Sequence, residues 1–454
     1  MANDNNEMQF TPVGDLPVYS DPAILEGKAI IVHDPSTQDP IAFDASKLAV
    51  TAKDLSMFTI EGHSLVLRET ANCYVVRTSG TYKFPLVYGN GIKKGVANPA
   101  AYTRLGADYT AQFVNHRGVA ITSPYIEKNA NCQPASAALL YQTTKGMISS
   151  VSLHEGGDCK YIHFTVASVP ATNGVAVLVV KDSQGTIMWS WMVWCTSDDL
   201  GPEIFENNTG VEYPLMKENL GAIWNEARTR YYNPHYQWGR KDPMAPVNGA
   251  GSQCTLYDIN GNVYSGFGVL GADQDELATK TVENAIKNPN LFFTRHNATN
   301  HNWNTLAWFN NFWNANMTAS SSLADDQELV IKTIYDPCPV GYVMPSGRAF
   351  TGFTTTGNNS EDATTFNVIG AWANGWTFKR KADDAVGNYF PASGCRAYGT
   401  GGLTYVGGSG GYWVCAPGSQ TFARSLDFYS GGVYPLCNYN RSLGFSVRPC
   451  RELN

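Results

Sequence analysis

Charge is scarce in this chain. Asp, Glu, Lys and Arg make up 16% of its 454 residues, against roughly 25% in an average soluble protein. The balance is 32 basic against 39 acidic residues, a net −7, which gives no electrostatic reason to bind nucleic acid or an anionic membrane. Long apolar runs are also missing. The longest clear one, Gly174-Val-Ala-Val-Leu-Val-Val180, is strand length and far short of the roughly 18 residues that span a bilayer. The opening Met1-Ala-Asn-Asp-Asn-Asn-Glu7 is polar and acidic, without the basic and apolar regions of a secretory signal. Either the protein is made intracellularly or a signal has been removed, and both readings stay open. Ten cysteines stand at 73, 132, 159, 195, 254, 338, 395, 415, 437 and 450, with no CxxC and no zinc-spaced Cys/His cluster. So few cysteines do not make a disulfide scaffold. They are expected to be mostly reduced, buried thiols, with one or two bridges, such as Cys395 with Cys450, left open.

Catalytic signatures are missing as well. There is no GxSxG, no P-loop and no GxGxxG after a strand. His154, His163, His235, His296 and His301 are scattered, and the last two miss the i, i+4 spacing of a helical zinc pair. Gly407-Gly-Ser-Gly-Gly411 runs into Tyr412-Trp413, which suits a hairpin turn better than a phosphate cradle. Lys379-Arg-Lys381 reads as a solvated turn. Asp325-Asp326 and Asp383-Asp384 are solvated loops in the plainer reading and Ca²⁺ ligands in the bolder one. No other cofactor is expected. The chain is expected to be a binding protein and not an enzyme.

Aromatics are abundant, with 24 Tyr, 20 Phe and 11 Trp, and so are turn-formers, with 43 Gly and 23 Pro. That mixture predicts a mainly β chain with long ordered loops and an α+β C-terminal part. A hydrophobic content of 43% is ample for several cores, and the length suits two to four domains.

Three parts are expected. Residues 1–55 read as strand (Leu25 to His33), turn (Asp34 to Pro40), strand, then a short helix capped by Asp44 or Ser46. A unit this small buries little surface alone, so it is expected to attach to other subunits or to oligomerise. In outline it resembles the N-terminal segments of phage tail and head fibres. Residues 56–204 carry closely spaced strands and read as a β-sandwich. In Thr186-Ile-Met-Trp-Ser-Trp-Met-Val-Trp194, Trp189, Trp191 and Val193 share one face and Met188, Ser190, Met192 and Trp194 the other. Apolar load on both faces marks a central strand. An exposed sugar platform on Trp189 or Trp191 is the minor alternative. These phrases look like the β-sandwich modules of surface and fimbrillin-associated proteins of Bacteroidales.

Residues 205–454 carry the most information. Four blocks follow in order: Tyr236-Gln-Trp-Gly-Arg-Lys-Asp-Pro243, Tyr335-Asp-Pro-Cys-Pro-Val-Gly-Tyr-Val-Met-Pro-Ser346, Gly387-Asn-Tyr-Phe-Pro-Ala-Ser-Gly394, and Arg441-Ser-Leu-Gly-Phe-Ser-Val-Arg-Pro-Cys-Arg-Glu452. Together they resemble the Fibrobacter-type major paralogous domain, which is related to C-type-lectin-like folds. In such a head Trp413, Phe428 and Phe445 are expected as anchors, and Gly387, Gly394, Gly411 and Gly444 as tight turns. Arg448 is expected to make a buried charge-assisted hydrogen bond. The Trp- and Asn-rich stretch from His296 to Met317 departs from the pattern and is expected to be a loop over the binding face.

From Val414 to Leu443 two kinds of residue alternate. Pro417, Ala423, Leu426, Phe428, Val433, Pro435 and Arg441 read as framework. Between them stand Cys415, Gly418, Gln420, Phe422, Arg424, Asp427, Tyr429, Gly432, Tyr434, Leu436, Cys437, Asn438, Tyr439, Asn440 and Leu443. This texture resembles the variable region, about 411–445, of proteins targeted by diversity-generating retroelements, in which adenine mutagenesis scatters Asn codons into such types. An ordinary invariant loop is the alternative. Period-2 pairs such as Asp427 with Tyr429 place interleaved side chains on one face of an extended strand.

The resemblances imply a receptor-binding protein of a phage tail or fibre. Its lectin-like head would bind a bacterial surface glycan or protein, and its N-terminal module would join other virion subunits in a homotrimer. The alternative is a Bacteroidales cell-surface or pilus-tip adhesin, joined to pilus subunits. Expected localisation is the virion or, for the adhesin, the bacterial cell surface. Neither reading needs nucleic acid or a membrane span.

Overall fold

A computed structural model of the chain describes residues 30–33, 40–43, 51–103, 113–225, 231–247, 254–271, 280–296, 301–304, 310–317, 329–419 and 421–453. Contacts divide it into two units, Met1–Ala52 and Lys53–Asn454. In the first, Ile30–His33 pairs antiparallel with Pro40–Phe43, Ile30 opposite Phe43 and His33 opposite Pro40. The expected helix after Asp44 lies outside the described residues.

The second unit is mainly β. Helix among its described residues is confined to short segments such as Pro99–Tyr102 and Val282–Lys287. One four-stranded sheet orders Lys53–Asp54, Gly80–Pro85, Tyr161–Val166 and Ile148–His154. Another orders Cys73–Val76, Ile187–Cys195, Gly174–Lys181 and Ser136–Gln142. Phe84 of the first sheet lies 4.7 Å from Tyr74 and 5.2 Å from Trp191 of the second, centroid to centroid. Ile187–Cys195 is an interior strand, antiparallel to Gly174–Lys181 and parallel to Cys73–Val76. Met188 to Cys195 are all buried, as the two-faced apolar pattern requires. Trp189 and Trp191 are at most 1% exposed, so neither is a sugar platform.

Beyond residue 200 two four-stranded sheets join distant segments. Pro202–Glu206 pairs with Glu212–Met216, which meets Cys450–Arg451, which meets Tyr342–Val343. The chain end therefore returns to residues 202–216. Arg448, 1% exposed, fixes that return by donating to the Met216 (3.2 Å), Lys217 and Tyr389 (2.9 Å) carbonyls. Its guanidinium carbon sits 4.1 Å from the Phe390 ring centroid. Tyr236–Gln237, Gly444–Phe445, Cys395–Arg396 and Leu403–Thr404 form a further sheet. One hydrophobic cluster runs from Leu55 to Cys450, and Trp194 Nε1 donates to Ala222 O at 3.2 Å. Residues on both sides of position 204 thus share a core.

Two expectations are corrected, and one open alternative, a bridge between Cys395 and Cys450, is not formed. Gly387, Gly411 and Gly444 lie in strands, where close approach and not turning requires glycine. A Cβ on Gly411 would stand 2.4 Å from Phe445, and one on Gly444 would stand 2.9 Å from Arg396 Cβ. Only Gly394 of the four adopts positive φ, +71°. The described residues of the stretch from His296 to Met317 are largely core and not a surface loop. Trp303 and Trp313 are at most 1% exposed, and their indoles donate to Trp238 O and Tyr335 O at 2.8 and 3.0 Å. All ten cysteines are free. Cys395 instead faces the Thr404 hydroxyl at 3.4 Å, and Cys450 belongs to a different sheet.

Candidate functional site

The sequence blocks act as scaffolding under a three-stranded antiparallel sheet, Ser409–Pro417, Phe422–Tyr429 and Gly432–Asn440. The Trp238 indole donates to Val414 O at 3.0 Å, and the Trp413 indole donates to Tyr236 O at 2.7 Å. Trp413 packs on Phe445 at 4.6 Å and Phe428 on Phe378 at 5.3 Å. Asp336, buried in the second block, accepts from Cys338 N and Met344 N at 2.7 and 2.9 Å. These bonds satisfy a carboxyl whose pKa burial pushes up.

Within this sheet Pro417, Ala423, Leu426, Phe428, Val433, Pro435 and Arg441 are all buried. Arg441 holds the end of the sheet. It donates to Asn310 Oδ1 at 2.5 Å and Ser419 O at 2.6 Å, and lies over Trp238 at 4.3 Å. The interleaved residues divide. Gln420 lies outside the described residues. Cys415, Gly432 and Leu443 are buried, while Gly418, Phe422, Arg424, Asp427, Leu436, Cys437, Tyr434, Tyr439 and Asn440 are partly exposed and Tyr429 and Asn438 exposed. Cys415, fully enclosed, is closed to a ligand.

Register distributes the accessible ones. Phe422 opposes Asn440 and Arg424 opposes Asn438; after a slip, Asp427 opposes Tyr434 and Tyr429 opposes Gly432. Alternation along Phe422–Tyr429 therefore sets Phe422 and Arg424 on one face, and Asp427 and Tyr429 on the other. The Phe422 ring lies 5.7 Å from His301. Arg424 donates to Leu436 O at 3.3 Å.

Asp427 and Tyr439 are less available than their positions suggest. Asp427 accepts from Ser409 Oγ at 3.0 Å and from the Tyr439 hydroxyl at 2.7 Å. Tyr439 also packs edge-on against Phe445 at 5.2 Å. Burial raises the Asp427 pKa, the two hydroxyl bonds opposing it. The Cys437 thiol is pushed up to about 12, chiefly by burial and then by Asp427, so it carries no thiolate at neutral pH.

At the opposite end, Tyr429 and Tyr434 stack with centroids 6.0 Å apart. The Tyr434 hydroxyl donates to Glu361 Oε1 at 2.6 Å, and burial, Glu361 and Tyr429 keep its phenol protonated. The loop carrying Glu361 is tied to this edge. Asn359 Oδ1 accepts from Leu436 N at 2.9 Å, and Ser360 and Val433 exchange two backbone bonds of 2.9 Å. Sequence reasoning missed Asn359 and Glu361. They sit in an unpatterned polar run, and only a contact spanning more than seventy residues brings them to the sheet.

Among the described residues no group of three His, Cys, Asp or Glu could hold a metal ion. Asp384 accepts from Arg380 at 2.9 Å and from Val386 N at 2.9 Å, and Asp325 and Asp326 lie outside the described residues. No described helix is long and apolar enough to cross a membrane. Comparison with protein-family models, with curated proteins and with solved structures finds no match.

Proposed function

We propose that the chain is a receptor-binding protein of a phage tail or fibre. In this reading residues 56–204 are a β-sandwich spacer, and residues 205–454 are a C-type-lectin-like head that binds a bacterial surface ligand. The interleaved residues of 411–445 are its variable positions, of the kind diversity-generating retroelements supply. One observation supports this most: framework positions of the terminal sheet are buried without exception, while most interleaved ones reach solvent. Side chains there can change with little cost to the core, as a surface selected for changing partners needs. Tyr and Phe suit such a surface, because they give large contact area with few rotors to freeze.

The test replaces Phe422, Tyr429 and Tyr434 together by Ser in the full chain. Tyr439 is left intact because its hydroxyl bonds the Asp427 carboxyl. A central aromatic anchor is worth about 2 kcal/mol or more. Adherence to cultured Bacteroidales cells should therefore fall by about thirtyfold or more, with the melting temperature nearly unchanged. Undiminished adherence would place the ligand elsewhere on the molecule. A reverse transcriptase or tail genes beside its gene would favour the phage reading over the adhesin.

A further inference from the structure

The Tyr429–Tyr434 edge carries more specific chemistry than contact area. Tyr429 is 38% exposed, and the two ring planes lie 24° apart. Their hydroxyls are 3.3 Å from each other, and Tyr434 occupies one oxygen of Glu361. Glu361 is exposed, as is Asn359 two residues before it. No Lys, Arg or His among the described residues forms an ion pair with Glu361. Aromatic faces attract cations through the ring quadrupole and give flat apolar rings a surface to lie on. A carboxylate without a cationic partner makes a strong charge-assisted bond to an ammonium group. Either feature alone is ordinary on a surface, but the hydrogen bond from Tyr434 fixes the two together.

We infer that this edge binds an amino sugar, a pyranose bearing a free ammonium group, within a surface glycan; the inference rests on the receptor-binding reading above. The C–H face of the sugar lies against Tyr429, and its ammonium pairs with the Glu361 oxygen that Tyr434 does not occupy. A lysine of a protein ligand fits less well. A two-ring shelf falls far short of the roughly 800 Å² per partner of a standard protein interface.

The test titrates the full chain calorimetrically at pH 6 with the β-1,4-linked trisaccharide of glucosamine and with its N-acetylated counterpart. The amine form is expected to bind about tenfold tighter or better, the range of one charge-assisted hydrogen bond. Glu361→Gln should abolish that preference, so that the amine form binds no tighter than the acetylated one. Equal binding of the two sugars, or a preference that survives Glu361→Gln, overturns the inference. So does a lysine peptide that binds as tightly as the amino sugar. Failure of both trisaccharides to bind also overturns it, whereas the receptor-binding reading stands or falls separately on whether the triple Ser variant still adheres to cells.

Discussion

His235 shows how single buried groups tie this molecule to pH. It is 1% exposed, and its Nε2 lies 3.3 Å from the Gly394 carbonyl oxygen. Burial, and then the Arg396 guanidinium, lower its pKa from 6.5 to about 3. The folded state therefore holds the ring neutral where the unfolded chain would already be charged. The stability this contributes is complete above about pH 6.5 and is lost as pH falls toward 3. By pH 4.5 the loss from this one group should be about 2–3 kcal/mol. Urea unfolding at pH 7 and pH 4.5 should show that decline in the parent chain, with His235→Gln flattening it. An equal decline in both proteins would assign the acid sensitivity to other groups.

At the scale of elements, the terminal sheet depends on close approach between strands. Gly411 opposes Asp427 in register, and a Cβ there would meet the Phe445 ring, which Trp413 and Tyr439 already confine. Gly411→Ala should therefore destabilise by about 1–3 kcal/mol, the cost of overpacking. Gly157→Ala, with no atom within 4 Å of the added carbon, should change stability little. Denaturant midpoints of the two variants check the contrast. Much at this scale was legible in the sequence. Apolar load on both faces of Thr186–Trp194 marked an interior strand, and alternation between residues 417 and 441 marked which side chains turn inward. Both signals are local, because a strand repeats every two residues. What escaped is long-range. The slip between Ser425 and Asp427 moves exposure from one face to the other, Glu361 reaches Tyr434 from a distant loop, and Trp303 and Trp313 fill the core. No local period encodes such contacts. The same residues explain why the Trp- and Asn-rich stretch reads as an insertion while its described side chains are interior.

For the whole molecule, the receptor-binding reading proposed above turns on how many copies act together. Residues 1–52 form one compact unit, whose described structure is one short hairpin. A unit of that size buries too little surface to be stable alone, which is the ground for expecting it to associate. In the phage-fibre reading proposed above, copies of the same chain supply that partner and three of them join here. Three heads on one stem would turn weak contacts with a repeated glycan into durable attachment, because each later contact forms at high effective concentration. Light scattering of the full chain at micromolar concentration should therefore return three times the 49.5 kDa chain mass. Removal of residues 1–52 should return it to one. A full-length monomer removes the proposal of a trimer, and a trimer that survives the deletion moves its contacts into residues 53–454.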